Sequence, residues 1–392
     1  MTYTLAHDSW DIHERRALER VMNNGRYTMG PEVAKFEEKF AEWAGSKYAI
    51  MVNSGSSANL MMLSALKYDN RFDFKPGDEI IVPAVSWSTT FFPVDQCGFK
   101  LVFVDVDLDT LNIDPDLVED AITERTRAVF AVNLLGNPAY LKQLKEICDK
   151  HNLVLIEDNC ESLGAHIDDK KCGTWGLMGS FSFFFSHHLQ TMEGGMVVTD
   201  DLKLAQMIKS LRAHGWLRDL PAENLVCNKL GDPFQDSFRF ALPGYCVRPL
   251  EMSGAVGQMQ LLKIKEQLEQ RERNASQFRY AVSQKDYIRK QMTNGYSSWF
   301  GFSIILDGVL AGHRSRVIEA LGSIGVETRP IVAGNFLLNP VCQILNHRVH
   351  GDLPNANKIH VDGFFLGNDG RDLENNIADA IHKINRVAKE FE

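Results

Sequence analysis

Nowhere in these 392 residues is there a basic run, a long uncharged apolar stretch or a cluster of cysteines. With a net charge of −9 and no concentration of Lys or Arg, neither nucleic acid nor an anionic membrane surface is an expected partner. No segment approaches the roughly 20 apolar residues of a membrane-spanning helix. The seven cysteines, Cys97, Cys148, Cys160, Cys172, Cys227, Cys246 and Cys342, include no Cys-x-Cys or Cys-x-x-Cys. An iron–sulfur cluster needs four thiolates within reach of one another, so none is expected, and scattered cysteines suit a reducing compartment. The first residues, Met1 to Asp8, show no basic region followed by an apolar core. A cytoplasmic location is therefore expected. Tandem repeats and low-complexity tracts are also missing.

A hydrophobic content of 44% is ordinary for a globular protein, and the length exceeds one comfortable core. Two domains are expected, a large one over 1–250 and a small one over 251–392, with the N-terminal residues free to pack on the second. Strand-like runs recur at 80–83, 101–105, 128–133, 153–158, 181–185 and 195–199, with helical patterns between several of them. This alternation predicts an α/β, mainly parallel, doubly wound sheet whose loops gather at one edge. A helix is expected over 202–214, then a long polar loop over 217–244 interrupted by Pro221, Gly231, Pro233 and Pro243. Another helix over 250–280 leads to a strand at 300–306 and a closing helix through Val387.

Four short segments carry candidate chemistry. The run Leu153-Val-Leu-Ile-Glu-Asp158 ends in acid, as a buried strand does at a ligand site. Asp158 there suits a protonated pyridine nitrogen, or merely a cap on the strand or loop. After the strand at 49–52, Ser56 and Ser57 lie in a small-residue turn before a helix, which is either an anion site or an ordinary N-cap. Trp87 follows the run 78–83 and is either a stacking platform or core. Ser182 adds a hydroxyl within Ser180-Phe-Ser-Phe, an alternation that needs no ligand. Beyond it stands His187-His188, which alone reads as two structural histidines; neighbouring histidines rarely both reach one ion, so no metal is expected.

In this order and spacing, the segments resemble the sugar aminotransferase branch of the fold type I pyridoxal phosphate (PLP) enzymes, over nearly the whole chain. Glu157-Asp158, Gly173-Thr-Trp-Gly176, Ser180 to Phe183 and Glu193 to Thr199 carry the likeness. His187 occupies the position where those enzymes have the lysine that binds the PLP aldehyde, a bond imidazole cannot form. The doublet His187-His188 with Met192-Glu193-Gly194-Gly195 is similar to the subgroup of 3-dehydratases acting on nucleotide-linked 4-keto-6-deoxy sugars. Lacking clustered cysteines, the chain resembles the members that act on a GDP-linked mannose derivative rather than the iron–sulfur members that act on a CDP-linked glucose derivative.

The resemblance implies a fold type I transferase, with a large domain of mainly parallel mixed sheet flanked by helices and a smaller C-terminal α+β domain. It implies PLP and its pyridoxamine form (PMP) as cofactor and L-glutamate as amino donor. His187 would be the catalytic acid/base, helped by an ordinary imidazole pKa of about 6.5 against about 10.4 for lysine. The products would be ammonia and a 4-keto-3,6-dideoxy sugar, a precursor of a colitose-type sugar of a surface polysaccharide. Ser56, Ser57, Trp87, Asp158, Glu161 and Ser182 would hold the cofactor, and His214, Arg218 and Arg329 the nucleotide-sugar substrate. A homodimer is implied, with the active site near its interface and 242–249 reaching across it; Cys246 stands where related enzymes have Asn. Two other readings remain: an aminotransferase using Lys170 or Lys171, and a non-catalytic PLP-fold protein that binds a sugar or a partner.

Overall fold

A computed structural model describes residues 2–392 of the chain. Short runs rich in Val, Ile, Leu and Phe become strands buried on both faces, the usual state of a parallel sheet covered by helices. In chain order these are β1 (Tyr48–Val52), β2 (Glu79–Pro83), β3 (Lys100–Val104), β4 (Thr126–Val132) and β5 (Val154–Asp158). A small hairpin, β6 (His166–Ile167) with β7 (Lys170–Lys171), precedes β8 (Met178–Ser182) and β9 (Gly195–Thr199). The later strands are β10 (Ile288–Arg289), β11 (Gly301–Leu306), β12 (Thr328–Arg329), β13 (His347–Val349) and β14 (Gly363–Gly367).

The large sheet has the order β1-β9-β8-β5-β4-β2-β3-β13, and its neighbours are parallel except where β9 runs against β1 and β8. Its helices are α1 (Ile12–Asn24), α2 (Pro31–Ala44), α3 (Gly55–Tyr68), α4 (Ser88–Gln96), α5 (Pro115–Asp120), α6 (Leu141–Lys150) and α7 (Leu202–Leu211). Side chains alternate along each strand, so Ile80 and Val82 face α3, α4 and α7 while Ile81 faces α5 and α6. Under β1, β8 and β9 the second face is filled by Phe36 and Phe40 of α2, packed against Phe181 and Phe183.

After α8 (Pro233–Asp236), the long α9 (Glu251–Ala281) runs from the large sheet to the small one. There α10 (Arg314–Gly322) and α12 (Glu374–Ala388) pack on Phe302, Ile304 and Phe364 of the sheet β10-β11-β14-β12. Tyr3 is buried in this second core, its hydroxyl donating to the Gly367 carbonyl at 2.7 Å. The chain does not stay there after residue 250: β13 pairs with Leu101–Phe103 of the large sheet before α11 (Pro354–Asp362) leads back to β14.

Two expected boundaries move. The strand expected at 181–185 lies at Met178–Ser182, because the chain leaves the sheet to form the His187 loop and exposes Phe184 and Phe185. The helix expected to reach His214 stops at Leu211, and His214 takes a left-handed φ of 64° that no helix accommodates. Apart from α8, the segment 217–244 is irregular, as expected, and it exposes Leu225, Leu230, Phe234, Phe238 and Phe240.

At the end of β5, Glu157 and Asp158 point to opposite faces. Glu157, fully buried, accepts from the backbone N–H groups of Gly173, Trp175 and Gly176 at 2.6 to 2.8 Å and from Asn133 Nδ2 at 3.2 Å. Its carboxylate thus pins the Gly173–Gly176 turn beneath the strand. A Glu157→Gln substitution turns an amide NH2 toward one set of these donors and should cost about 2–3 kcal/mol. A urea midpoint lowered at unchanged slope is the expected result; an unchanged midpoint would show that the turn holds without the charge.

Candidate functional site

The carboxyl ends of β1, β2, β5 and β8 converge, as parallel crossovers require, and the chain just beyond them lines a cleft of about 690 Å³. Seven of the expected residues meet here: Ser56, Trp87, Asp158, Glu161, Ser182, His187 and Arg329.

One end of the cleft is built for an anion. Ser54 caps α3 by accepting from the Ser57 N–H at 3.1 Å, which leaves the amides of Gly55 and Ser56 in the first turn without intrahelical acceptors. Ser56 Oγ lies 2.8 Å from Thr89 Oγ1, tying α3 to the first turn of α4. A Cβ on Gly55 would sit 2.6 Å from Ser182 Cβ and 2.8 Å from Cys160 Sγ, so the turn needs glycine to lie this close to β8.

Asp158, 6% exposed, stands deeper. Its Oδ2 accepts from Asn59 Nδ2 and Thr90 Oγ1, each at 2.8 Å, and its Oδ1 from the Cys160 N–H at 3.1 Å. Oδ1 keeps capacity for another donor. Trp87 precedes α4 with 57% of its surface exposed and forms part of the cleft wall. An anion site, an aromatic wall and a strand-end carboxylate in one cleft fit a cofactor that has a phosphate, a flat ring and a protonated ring nitrogen, as PLP does.

His187 is tethered at one ring nitrogen by a backbone carbonyl. Its Nδ1 lies 2.8 Å from the Cys160 carbonyl oxygen, which can only accept, so Nδ1 carries the hydrogen and Nε2 is the basic nitrogen. Burial lowers its pKa from 6.5 to about 4. Glu161 goes the other way: burial, reinforced by the nearby Asp158 charge, raises its carboxyl from 4.5 to about 7, although the Leu135 N–H donates to Oε2 at 3.0 Å. Arg329 enters from β12, beside Pro330, Val332 and Phe365. Among the described residues no lysine lines the cleft. Lys170 and Lys171 lie on β7, their ammonium groups over the rings of Trp175 and Trp43 at 4.9 and 5.2 Å.

Three expected residues lie outside this lining. Ser57 Oγ sits 3.1 Å from Ser54 Oγ within the cap. His214 and Arg218 belong to the segment after α7 and flank Trp216, whose ring is 4.7 Å from the imidazole and 3.7 Å from the guanidinium carbon. Conversely, sequence reasoning missed Asn59 and Thr90, which hold Asp158, and Phe300, which lines the cleft beside His187. Asn59 was reachable, since it lies one helical turn from Gly55 on the same face. Phe300 gave no local signal.

Among the described residues no helix is long and apolar enough to cross a membrane, and no group of three or more His, Cys, Asp or Glu is placed to hold a metal. The profile of the DegT/DnrJ/EryC1/StrS aminotransferase family matches residues 9–382, and the chain belongs to that family. Within it, the chain is 48% identical over 379 residues to the GDP-4-keto-6-deoxy-D-mannose 3-dehydratase of Yersinia pseudotuberculosis, covering 96% of each. Two solved structures of a GDP-4-keto-6-deoxymannose 3-dehydratase are each 45% identical to it. One, holding a trapped PLP–glutamate geminal diamine, has a TM-score of 0.95 over 97% of this chain and 100% of that one. The other, a histidine-to-asparagine variant with bound GDP-perosamine, has a TM-score of 0.96 over 98% and 100%.

The opposed shifts of His187 and Glu161 can be measured on cofactor-free protein. His187 should remain neutral, with hydrogen on Nδ1, until the pH falls to about 4, and nitrogen NMR of labelled histidine reads this directly. A protonated-carboxyl infrared band should titrate near pH 7 and vanish in Glu161→Gln. The signs for stability follow: the His187 contribution declines as pH drops from 6.5 toward about 4, whereas that of Glu161 is complete below 4.5 and lost as pH rises through about 7. An imidazole that protonates near 6.5 would show that the cleft does not desolvate it.

Proposed function

We propose that this chain removes the C3 hydroxyl from GDP-4-keto-6-deoxy-D-mannose, with glutamate as amino donor, releasing a 4-keto-3,6-dideoxy sugar and ammonia. The observation that carries the reading is His187, its Nε2 free, in a cleft with no lysine in its lining. PLP, cycling through PMP, supplies an amine for the C4 ketone and a conjugated path for the electrons that break the C3–oxygen bond.

The protein's own groups divide the remaining work. The first turn of α3 with Ser56 and Ser182 would hold the cofactor's phosphate, Asp158 would pair with its ring nitrogen, and Trp87 would stack on the ring. His187 Nε2 would take up the proton released from the bound cofactor and give it to the departing C3 oxygen, which leaves as water. Burial that weakens the imidazole as a base strengthens the imidazolium as an acid, and hydroxide is a poor leaving group that needs a strong donor. Glu161 lines the same cleft and helps to place the cofactor. At its mouth the planar fork of Arg329 suits a diphosphate.

The same reading assigns His214 and Arg218 to the cleft of a second subunit. Supporting this, their segment carries exposed aromatics, with Phe234 84% and Phe238 66% accessible, as expected of a surface that a homodimer covers. Residues 1–250 and 251–392 then act as large and small domains, with β13 returning to brace the first. We place the enzyme in the cytoplasm, where the nucleotide-linked substrate and glutamate are at hand.

Incubation with PLP, glutamate and GDP-4-keto-6-deoxy-D-mannose should give a 3-deoxy ketosugar by mass spectrometry, with ammonia and 2-oxoglutarate; a stable 4-amino sugar would instead establish a transaminase. In His187→Lys, dehydration should collapse by at least about a hundredfold, and unchanged dehydration would remove His187 from its role. The dimer is tested by mixing two inactive variants, His187→Asn and Arg218→Ala. Random reassortment should restore up to about a quarter of wild-type activity if the site is shared between subunits, and none if each subunit is self-sufficient.

A further inference from the structure

Adjacent to the reacting histidine, His188 is 1% exposed and points away from the cleft into the junction between the two sheets. Its Nε2 lies 3.0 Å from the Ser298 carbonyl, so Nε2 carries the hydrogen, while Nδ1 is buried without a partner. Ser298 begins a short segment that crosses to the large sheet. The Ser298 N–H donates to the Gly136 carbonyl at 2.9 Å, and the Phe300 N–H to the Leu135 carbonyl at 3.1 Å.

The contact is close and strained on both sides. A Cβ on Gly136 would lie 2.4 Å from the Trp299 nitrogen. Leu135 and Trp299, both buried, hold left-handed φ values of 49° and 48°, which L side chains adopt only where their surroundings impose them. Opposite His188, Arg271 of α9 donates to the carbonyls of Trp299 and Phe300 at 3.2 and 3.3 Å. The segment between these anchors presents the Phe300 ring to the cleft, 5.1 Å from the His187 ring and 5.7 Å from that of His188. Leu135, on the other strand of the junction, gives its N–H to Glu161.

From this geometry we infer that His188 is a positioning residue: by holding the Ser298 carbonyl it fixes Phe300 against His187 and so sets the direction of the His187 Nε2 lone pair. The inference rests on the proton-transfer role proposed for His187. A neutral imidazole suits the task, because it supplies one N–H at a fixed distance and direction and places no charge beside Arg271. His187 itself has one hydrogen bond from its ring, to Cys160, which leaves the ring able to pivot about that bond. Phe300 is the flat surface that limits the pivot.

The test compares kinetics of wild type, His188→Phe, His188→Gln and Phe300→Leu, all loaded with PLP, with glutamate and GDP-4-keto-6-deoxy-D-mannose. Wild-type turnover comes first, since its absence would overturn the function and not this inference alone. His188→Phe keeps a flat aromatic ring, somewhat larger than the imidazole, but has no N–H. It should lower kcat by about ten- to a hundredfold with KM within about twofold of wild type. His188→Gln places an amide N–H near the former Nε2 and should restore most of kcat. Phe300→Leu should lower kcat in the same way, and adding His188→Phe to it should cost little more, because the histidine acts through that ring. Should His188→Phe not fold, His188→Asn, whose shorter amide does not reach Ser298, takes its place. Wild-type kcat in the donor-free variant, a loss of the same size in His188→Gln, or fully multiplicative losses in the double variant would each overturn the proposal.

Discussion

The Asp158 carboxylate is the tie on which the site depends. Three separate stretches of chain donate to it, Asn59 from α3, Thr90 from α4 and the backbone of Cys160 after β5, so three strand ends are held at one point. Each bond to a charged acceptor contributes about 1.5–3 kcal/mol net, and losing a donor would leave a buried carboxylate under-satisfied. From this tie the remaining positions follow. Asn59 sets the rotation of α3 and hence where the amides of Gly55 and Ser56 point. Thr90 sets α4 and, through Thr89, its contact with Ser56. Cys160, two residues past Asp158, turns its carbonyl to His187. Helix amides, strand-end carboxylate and the His187 imidazole are thereby spaced by one hydrogen-bonded hub rather than by three independent loops.

That hub was half visible in the sequence. Asp158 stood out because an apolar run ended in acid, and Ser56 because small hydroxyl residues preceded a helical period; both signals are local. The strands at 79–83, 100–104, 154–158 and 195–199 were legible for the same reason, since burial on both faces leaves a continuous apolar run. What stayed hidden depends on contacts across the chain. Thr90 is an unremarkable helical threonine until it meets Asp158, 68 positions away. Phe300 reads as the start of a strand, and its place beside His187 exists only because two sheets meet there. β13 is too short and polar to advertise that it returns to the large sheet. His214 and Arg218 were singled out by resemblance alone, and within one chain they surround Trp216 rather than the cleft.

Replacing lysine by histidine alters reach as well as basicity. A lysine amine swings on four methylenes and can serve several atoms of a bound ligand in turn. The His187 ring has two torsions, and one of its nitrogens is held by a backbone carbonyl, so Nε2 commands a small volume. A proton held there is returned to whatever atom lies within that volume. If that atom is the oxygen on sugar C3, elimination follows; to protonate sugar C4 and complete a transamination the carrier would have to move. Outcome is thus decided by geometry, which is why the surroundings of the ring matter as much as the ring.

The same surroundings set the charge of the cleft. Ordinarily a glutamate is ionised and a histidine partly protonated at pH 6. Here Glu161 is shifted up to about 7 and His187 down to about 4, so between those values both are neutral. The cleft thereby holds an acid and a base that are both uncharged at rest. An uncharged imidazole also leaves the helix amides and hydroxyls at Ser54 and Ser56 as the attraction for an anion. Helix amides, strand-end carboxylate and a neutral proton acceptor thereby share one cleft.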